Sequence, residues 1–83
     1  MKILYFSWIK DKLAKSEDNI TIDENIKTVD DLIKLLKNID DNYYNVFADM
    51  SLIKVSINME TCNFDDKVSN KDEVAFFPPM TGG

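Results

Sequence analysis

The stretch from Thr28 to Ile39 most limits what this chain can become. Val29, Leu32, Ile33, Leu36 and Ile39 recur at helical spacing and form one apolar stripe. Thr28 stands at the N-cap, with Asp31 placed for a capping box and Asp30 near the positive end of the helix dipole. Lys34 and Lys37 fall in the later turns, where cations are favoured. A helix over 28–39 is about 18 Å long, enough to cross a small sheet. Elsewhere the patterns are short, and several alternate as strands do. A chain of 83 residues with this one clear helix and several short strands reads as a single α+β domain around one small core.

Met1 to Trp8 reads as the first strand, with Ile3, Tyr5 and Ser7 on one face and Leu4, Phe6 and Trp8 on the other. Both faces are apolar, which leaves two readings. Either the domain covers both faces itself, or the second face meets another protein. Ile9 to Lys15 carries three lysines and reads as a short solvated helix or loop. Asn19 to Asp23 alternates and reads as a second strand, paired with the first as a loose hairpin. Tyr43, Val46, Phe47 and Met50 recur at i, i+3, i+4, i+7, a further helical turn closing the core. Leu52 to Met59 reads as the third strand, with Ile53, Val55 and Ile57 on one side. A short strand follows around Cys62 and Phe64, then turns before Asp72, where Asn70 can adopt positive φ without glycine. Val74 to Phe77 is the last strand, and Pro78 and Pro79 end it because neither donates a ladder hydrogen bond.

The charge balance narrows the chemistry. The net charge is −5, with no histidine and no arginine among the ten basic residues. Such a chain is a poor candidate for nucleic acid or an anionic membrane, and no apolar run has the length of a membrane span. It lacks the usual general base and the commonest metal ligand. No metal site, His-Cys cluster, phosphate loop or nucleophile elbow is present in the sequence. Cys62 is the only cysteine, so no internal disulfide forms, in keeping with a reducing cytoplasm. Its place in an alternating segment makes it a packing residue. The acidic balance suits a basic protein partner, or serves solubility alone.

The remaining candidate is the C-terminal stretch. Gly82 and Gly83 are the only glycines in the chain, and neither sits where a turn is needed. The expected division is a domain over 1–77 and an extended tail over 78–83. Pro78, Pro79, Met80, Thr81, Gly82 and Gly83, fully extended, reach at most ~20 Å. One reading is a frayed terminus. The other is a slender arm that delivers the Gly83 carboxylate into a narrow channel of another protein, with Gly82 offering no side chain to obstruct it.

The run Asp72-Glu73-Val74-Ala75-Phe76-Phe77-Pro78-Pro79-Met80-Thr81-Gly82-Gly83 resembles the ending of the MoaD family, the small sulfur-carrier subunit of molybdopterin synthase. Leu4-Tyr5-Phe6-Ser7-Trp8, Thr28-Val29-Asp30-Asp31-Leu32 and Val55-Ser56-Ile57-Asn58 also resemble it, so the likeness spans nearly the whole chain. It departs at Met59, where the family often has Gln, and at Asn70-Lys71, where Gly is usual. The resemblance implies a β-grasp, ubiquitin-like fold: a mixed sheet of about four to five strands crossed by one main helix, with the first and last strands central and parallel.

The resemblance also implies a function. An ATP-dependent, E1-like enzyme adenylates Gly83, and a persulfide-derived sulfur displaces AMP to leave a thiocarboxylate. That sulfur passes to a cyclic pyranopterin monophosphate in the large synthase subunit, within a heterotetramer. The chain then binds no permanent cofactor, meets nucleotide only as a transient acyl-adenylate, and leaves catalysis to its partners. Pro78 and Pro79 would limit the entropy lost as the tail threads. By the same resemblance Phe6 and Phe77 belong to the partner interface and the protein is cytoplasmic. Three alternatives remain open. One is a ubiquitin-like modifier joined to lysines through the same glycine. Another is a thiamine-pathway sulfur carrier, from which the Phe-Phe-Pro-Pro ending points away. The last is a plain interaction module with an unreactive tail.

Overall fold

The structure, a computed structural model, describes residues 1–79. Strand β1 (Lys2–Tyr5) leads into helix α1 (Ser7–Leu13) and then β2 (Glu17–Asn19). Helices α2 (Val29–Lys37) and α3 (Asp41–Val46) follow, then a 3₁₀ turn at Met50–Leu52, β3 (Lys54–Ile57), β4 (Glu60–Cys62) and β5 (Glu73–Phe77). The strands form one sheet in the order β2-β1-β5-β3-β4. β1 and β5 are parallel and adjacent, with Ile3 beside Val74 and Tyr5 beside Phe76. The other pairings are antiparallel. The first and last strands therefore lie inside the sheet side by side, as the family resemblance led one to expect.

Why α2 forms is clear from its ends. Asp31 N–H donates to Thr28 Oγ1 at 3.2 Å, and the Asp31 carboxylate accepts from Thr28 N–H at 3.2 Å, a complete capping box. Accepting backbone N–H groups from Lys27 and Thr28 holds the Asp31 carboxyl below the usual carboxylate range. Val29, Leu32, Ile33 and Leu36 are all buried. They cover Ile3, Tyr5, Val55, Val74 and Phe76 from the sheet, with Tyr43, Val46 and Phe47 of the α3 region completing the core. Phe76 sits at its centre: its ring is 5.0 Å from Phe47 edge-on and 6.4 Å from Tyr5 in a stacked pair.

Several boundaries differ from the sequence reading. β1 stops at Tyr5, because Ser7 turns the chain with φ 57° and opens α1. Ser7 and Trp8 are thus helical, and Trp8 packs against the core. α1 is not simply solvated, since Ile9 and Leu13, one turn apart, are buried. β2 lies at Glu17–Asn19, earlier than the Asn19–Asp23 alternation suggested. Its register is fixed by β1, where Lys2, Ile3 and Leu4 sit opposite Asn19, Asp18 and Glu17. Ile20 still turns inward and continues the pairing, its N–H donating to Met1 C=O at 3.0 Å and its C=O accepting from the Met1 amino group at 2.7 Å, while Ile22 turns inward further along. Ile39 is exposed because α2 ends at Lys37 and Asn38 forms the C-cap. Leu52 is also exposed, in the 3₁₀ turn rather than in β3, and Phe64 follows β4. Asn70 does not adopt positive φ. Its side chain instead accepts from Ile22 N–H at 2.8 Å and donates to Ile22 C=O at 3.0 Å, pairing like a strand with the segment after β2.

A polar cluster closes one end of the core. The Asp18 carboxylate accepts from Tyr43 Oη at 2.6 Å, from Tyr5 Oη at 2.8 Å and from Lys15 Nζ at 3.2 Å. It ties β2, β1, α3 and the loop after α1 together and leaves the two core hydroxyls partnered.

Candidate functional site

The sheet has two faces, and the helices cover only one. Register places Leu4, Ala75, Ser56 and Thr61 in a row across four strands on the other face. Phe6 and Phe77 extend that row at one end, and Glu73 and Met59 bound it. Together these residues line a shallow groove of about 430 Å³. Phe6 lies just after β1, yet its N–H still donates to Phe76 C=O at 3.2 Å, so it continues the ladder for one more residue. Its side chain is 47 % exposed, and Phe77 is half-buried. Among the described residues the domain does not cover both faces of β1: Ile3 and Tyr5 are buried on one, while Leu4 and Phe6 line the groove on the other.

Strand β5 shows how a single short sequence serves both faces. Val74 and Phe76 are fully buried, whereas Glu73, Ala75 and Phe77 line the groove. Pro78 and Pro79, both half-buried, follow directly. The remaining expected tail residues, Met80, Thr81, Gly82 and Gly83, lie outside the described residues. Phe6 and Phe77, chosen from sequence, do share one groove. Sequence reasoning did not single out Ala75, Ser56 or Thr61 for it, and met Met59 only as a departure from the family pattern that touches local partner contacts. Small and polar residues in the middle of an apolar face carry no composition signal; only the register reveals them.

Met59 owes its place to the β3–β4 hairpin. Asn58 and Met59 form its tip with φ of 52° and 72°. This two-residue, doubly positive loop is the kind that matches strand twist, and it most often contains glycine. Asn58 is braced from three directions. Its N–H donates to Glu73 C=O at 2.8 Å, its Oδ1 accepts from Glu73 N–H at 3.0 Å, and its Nδ2 donates to Asp72 Oδ1 at 3.0 Å.

Among the described residues no three His, Cys, Asp or Glu side chains are placed to hold a metal. No described helix is long and apolar enough to cross a membrane. Cys62 lies opposite Val55 on the covered side, and its Sγ is 3.8 Å from Val55 C=O. Burial pushes its thiol pKa up and Asp66 adds to this, which disfavours the thiolate.

A sheet ordered β2-β1-β5-β3-β4, with a capped helix across one face and the other face open, defines a ubiquitin-like β-grasp domain. A crystal structure of SAMP1 from Haloferax volcanii superposes with a TM-score of 0.78 at 25 % identity, covering 100 % of this chain and 98 % of that one. The chain belongs to the ThiS family, whose model matches residues 3–83. It is 29 % identical to the molybdopterin synthase sulfur carrier subunit of Escherichia coli, covering 100 % of this chain and 99 % of that protein. It is 30 % identical to the protein of the same description from Dictyostelium discoideum, covering 99 % of this chain and 94 % of the relative.

Proposed function

We propose that this chain is a sulfur carrier in molybdenum cofactor biosynthesis, working as the small subunit of a molybdopterin synthase in the cytoplasm. The observation that carries this reading is β5. Its alternate residues build the open groove, and the strand runs straight into Pro78 and the tail. A protein seated on Phe6 and Phe77 therefore sits at the root of the segment that ends in Gly83. Full-length similarity to two sulfur carrier subunits supports the same assignment.

The chemistry follows from the weakness of a carboxylate as an electrophile. An E1-like enzyme transfers AMP from ATP to the Gly83 carboxylate, releasing pyrophosphate. The terminal sulfur of a persulfide donor then attacks the acyl-adenylate and displaces AMP, giving an acyl disulfide. A second thiol cleaves its S–S bond, leaving a disulfide on the donor and releasing the thiocarboxylate. That sulfur is passed to a cyclic pyranopterin monophosphate held by the large subunit. The domain contributes docking and reach: Phe6 and Phe77 bind, Pro78 and Pro79 restrict the tail, and Met80, Thr81 and Gly82 carry Gly83 inward. It needs no bound cofactor of its own.

The test is direct. Incubating the protein with an activating enzyme, ATP and a sulfur donor should exchange one oxygen for one sulfur at Gly83, read by intact mass. An unchanged mass counts against the proposal. Isopeptide-linked adducts on many proteins would make the chain a modifier instead. Appending one residue after Gly83 should abolish sulfur transfer without altering the fold; an active extended variant contradicts the mechanism.

A further inference from the structure

Met59 is an anomaly in this fold. It holds left-handed backbone at φ 72°, a conformation that disfavours residues with a Cβ. The residue is 89 % exposed, so packing within the domain gives little in return. The three hydrogen bonds of Asn58 to Asp72 and Glu73 nevertheless pin this hairpin tip in place beside the groove. A glycine would relieve the backbone, and an asparagine or aspartate would tolerate it. A flexible apolar thioether there makes sense as a contact surface.

We propose that Met59 is a specificity-determining anchor of the docking face, inserted into an apolar pocket of the partner protein. The inference rests on the docking role assigned above to Phe6 and Phe77. Glu73, which also lines the groove, sets the charge of what comes next to that pocket. The partner surface therefore pairs an apolar pocket for Met59 with a lysine or arginine facing Glu73, against a chain of net charge −5. Asn58 acts as a positioning residue, because it fixes the direction in which Met59 leaves the sheet. In this arrangement the contact is maintained against the local backbone preference.

The experiment compares Met59→Gly, Met59→Ala and Phe6→Ala with the unaltered protein. Affinity for the large synthase subunit of the same organism is measured by calorimetry, and thermal stability is measured on each free protein. Met59→Ala should weaken binding about tenfold with its Tm unchanged. Met59→Gly should weaken binding to a similar degree while its Tm holds or rises. Phe6→Ala reports on the docking face independently of the hairpin. If Phe6→Ala weakens binding and both Met59 variants bind as the unaltered protein does, the Met59 proposal is overturned and the docking face stands. If only Met59→Gly weakens binding, backbone geometry rather than the side chain matters, and the proposal is again overturned. If the unaltered protein does not bind the large subunit, the functional assignment fails, and the Met59 proposal fails with it.

Discussion

The two faces of the sheet are built from the same strands, and they differ in who covers them. On the inner face Ile3, Tyr5, Val55, Val74 and Phe76 are at most 1 % exposed beneath α2 and α3. On the outer face Leu4, Phe6, Ala75 and Phe77 are just as apolar in kind, yet nothing in the described residues lies over them. Hydrophobic burial stabilises the inner face within the chain; on the outer face apolar surface is left open, and the proposed docking would bury it. The contrast separates two kinds of residue one position apart. Phe76 should govern folding, and Phe77 should govern association.

The largest effect tests that division. Phe76→Ala removes the ring that packs on both Tyr5 and Phe47, and should cost about 3–5 kcal/mol. For a domain of this size that is much of the total stability, so its chemical denaturation midpoint should collapse. Phe77→Ala should leave that midpoint nearly unchanged and weaken partner binding by about 1–2 kcal/mol, roughly 5–30-fold. Equal losses of stability in the two variants would erase the distinction between the faces.

A smaller effect probes how the inner face is roofed. Thr28→Ala removes the acceptor for Asp31 N–H and should cost about 1 kcal/mol, read from the same denaturation curves. Partner affinity should not change, because α2 covers the face opposite the groove. A loss of affinity as large as that of Phe77→Ala would mean the two faces are coupled.

The inner face was far more legible in the sequence than the outer. Helical spacing at Val29, Leu32, Ile33 and Leu36 encodes burial directly, and the apolar run from Val74 to Phe77 marks a strand without saying which of its residues face inward. Capping chemistry marked the start of α2 at Thr28. The ends of strands were harder to read. The alternation of β1 runs on through Ser7 and Trp8, although the backbone has already turned there at a serine with no glycine to signal it. The register of β2 depends on where β1 begins, a property of pairing rather than of local sequence. The open groove was legible only at its aromatic ends, Phe6 and Phe77. Ser56, Thr61, Ala75 and Met59 join it through sheet order and hairpin geometry, which a linear pattern does not contain. The turn at Asn70 and Lys71 does form, with Asp72 N–H donating to Ser69 C=O at 3.0 Å, but without positive φ, and the bond of the Asn70 side chain to the Ile22 backbone, far away in sequence, had no local signal.

The pH dependence of the Asp18 cluster is the smallest effect and has the clearest sign. Burial raises the pKa of Asp18, but hydrogen bonds from Tyr43, Tyr5 and Lys15 more than offset this and leave it below the ordinary carboxylate value. A depressed folded-state pKa means the carboxylate stabilises the protein at neutral pH. That contribution is lost as pH falls below about 4 and then through the folded value. The hydroxyls act at the other limit. Burial and then the hydrogen bond to Asp18 raise the pKa of Tyr43, and the same two causes raise that of Tyr5. Their contribution is complete below about 10 and is lost as pH rises through the folded values. Asp18→Asn keeps the shape of the side chain and removes its charge. Thermal melts across pH should show a lower Tm for the variant at neutral pH. The gap to the unaltered protein should narrow on acidification, because the unaltered protein then loses the same charge. A gap that stays constant down to pH 2 would mean the cluster holds the inner face by packing alone. Tyr5 and Tyr43 would then serve the core only as aromatic rings, stacked on Phe76 and on each other's edge.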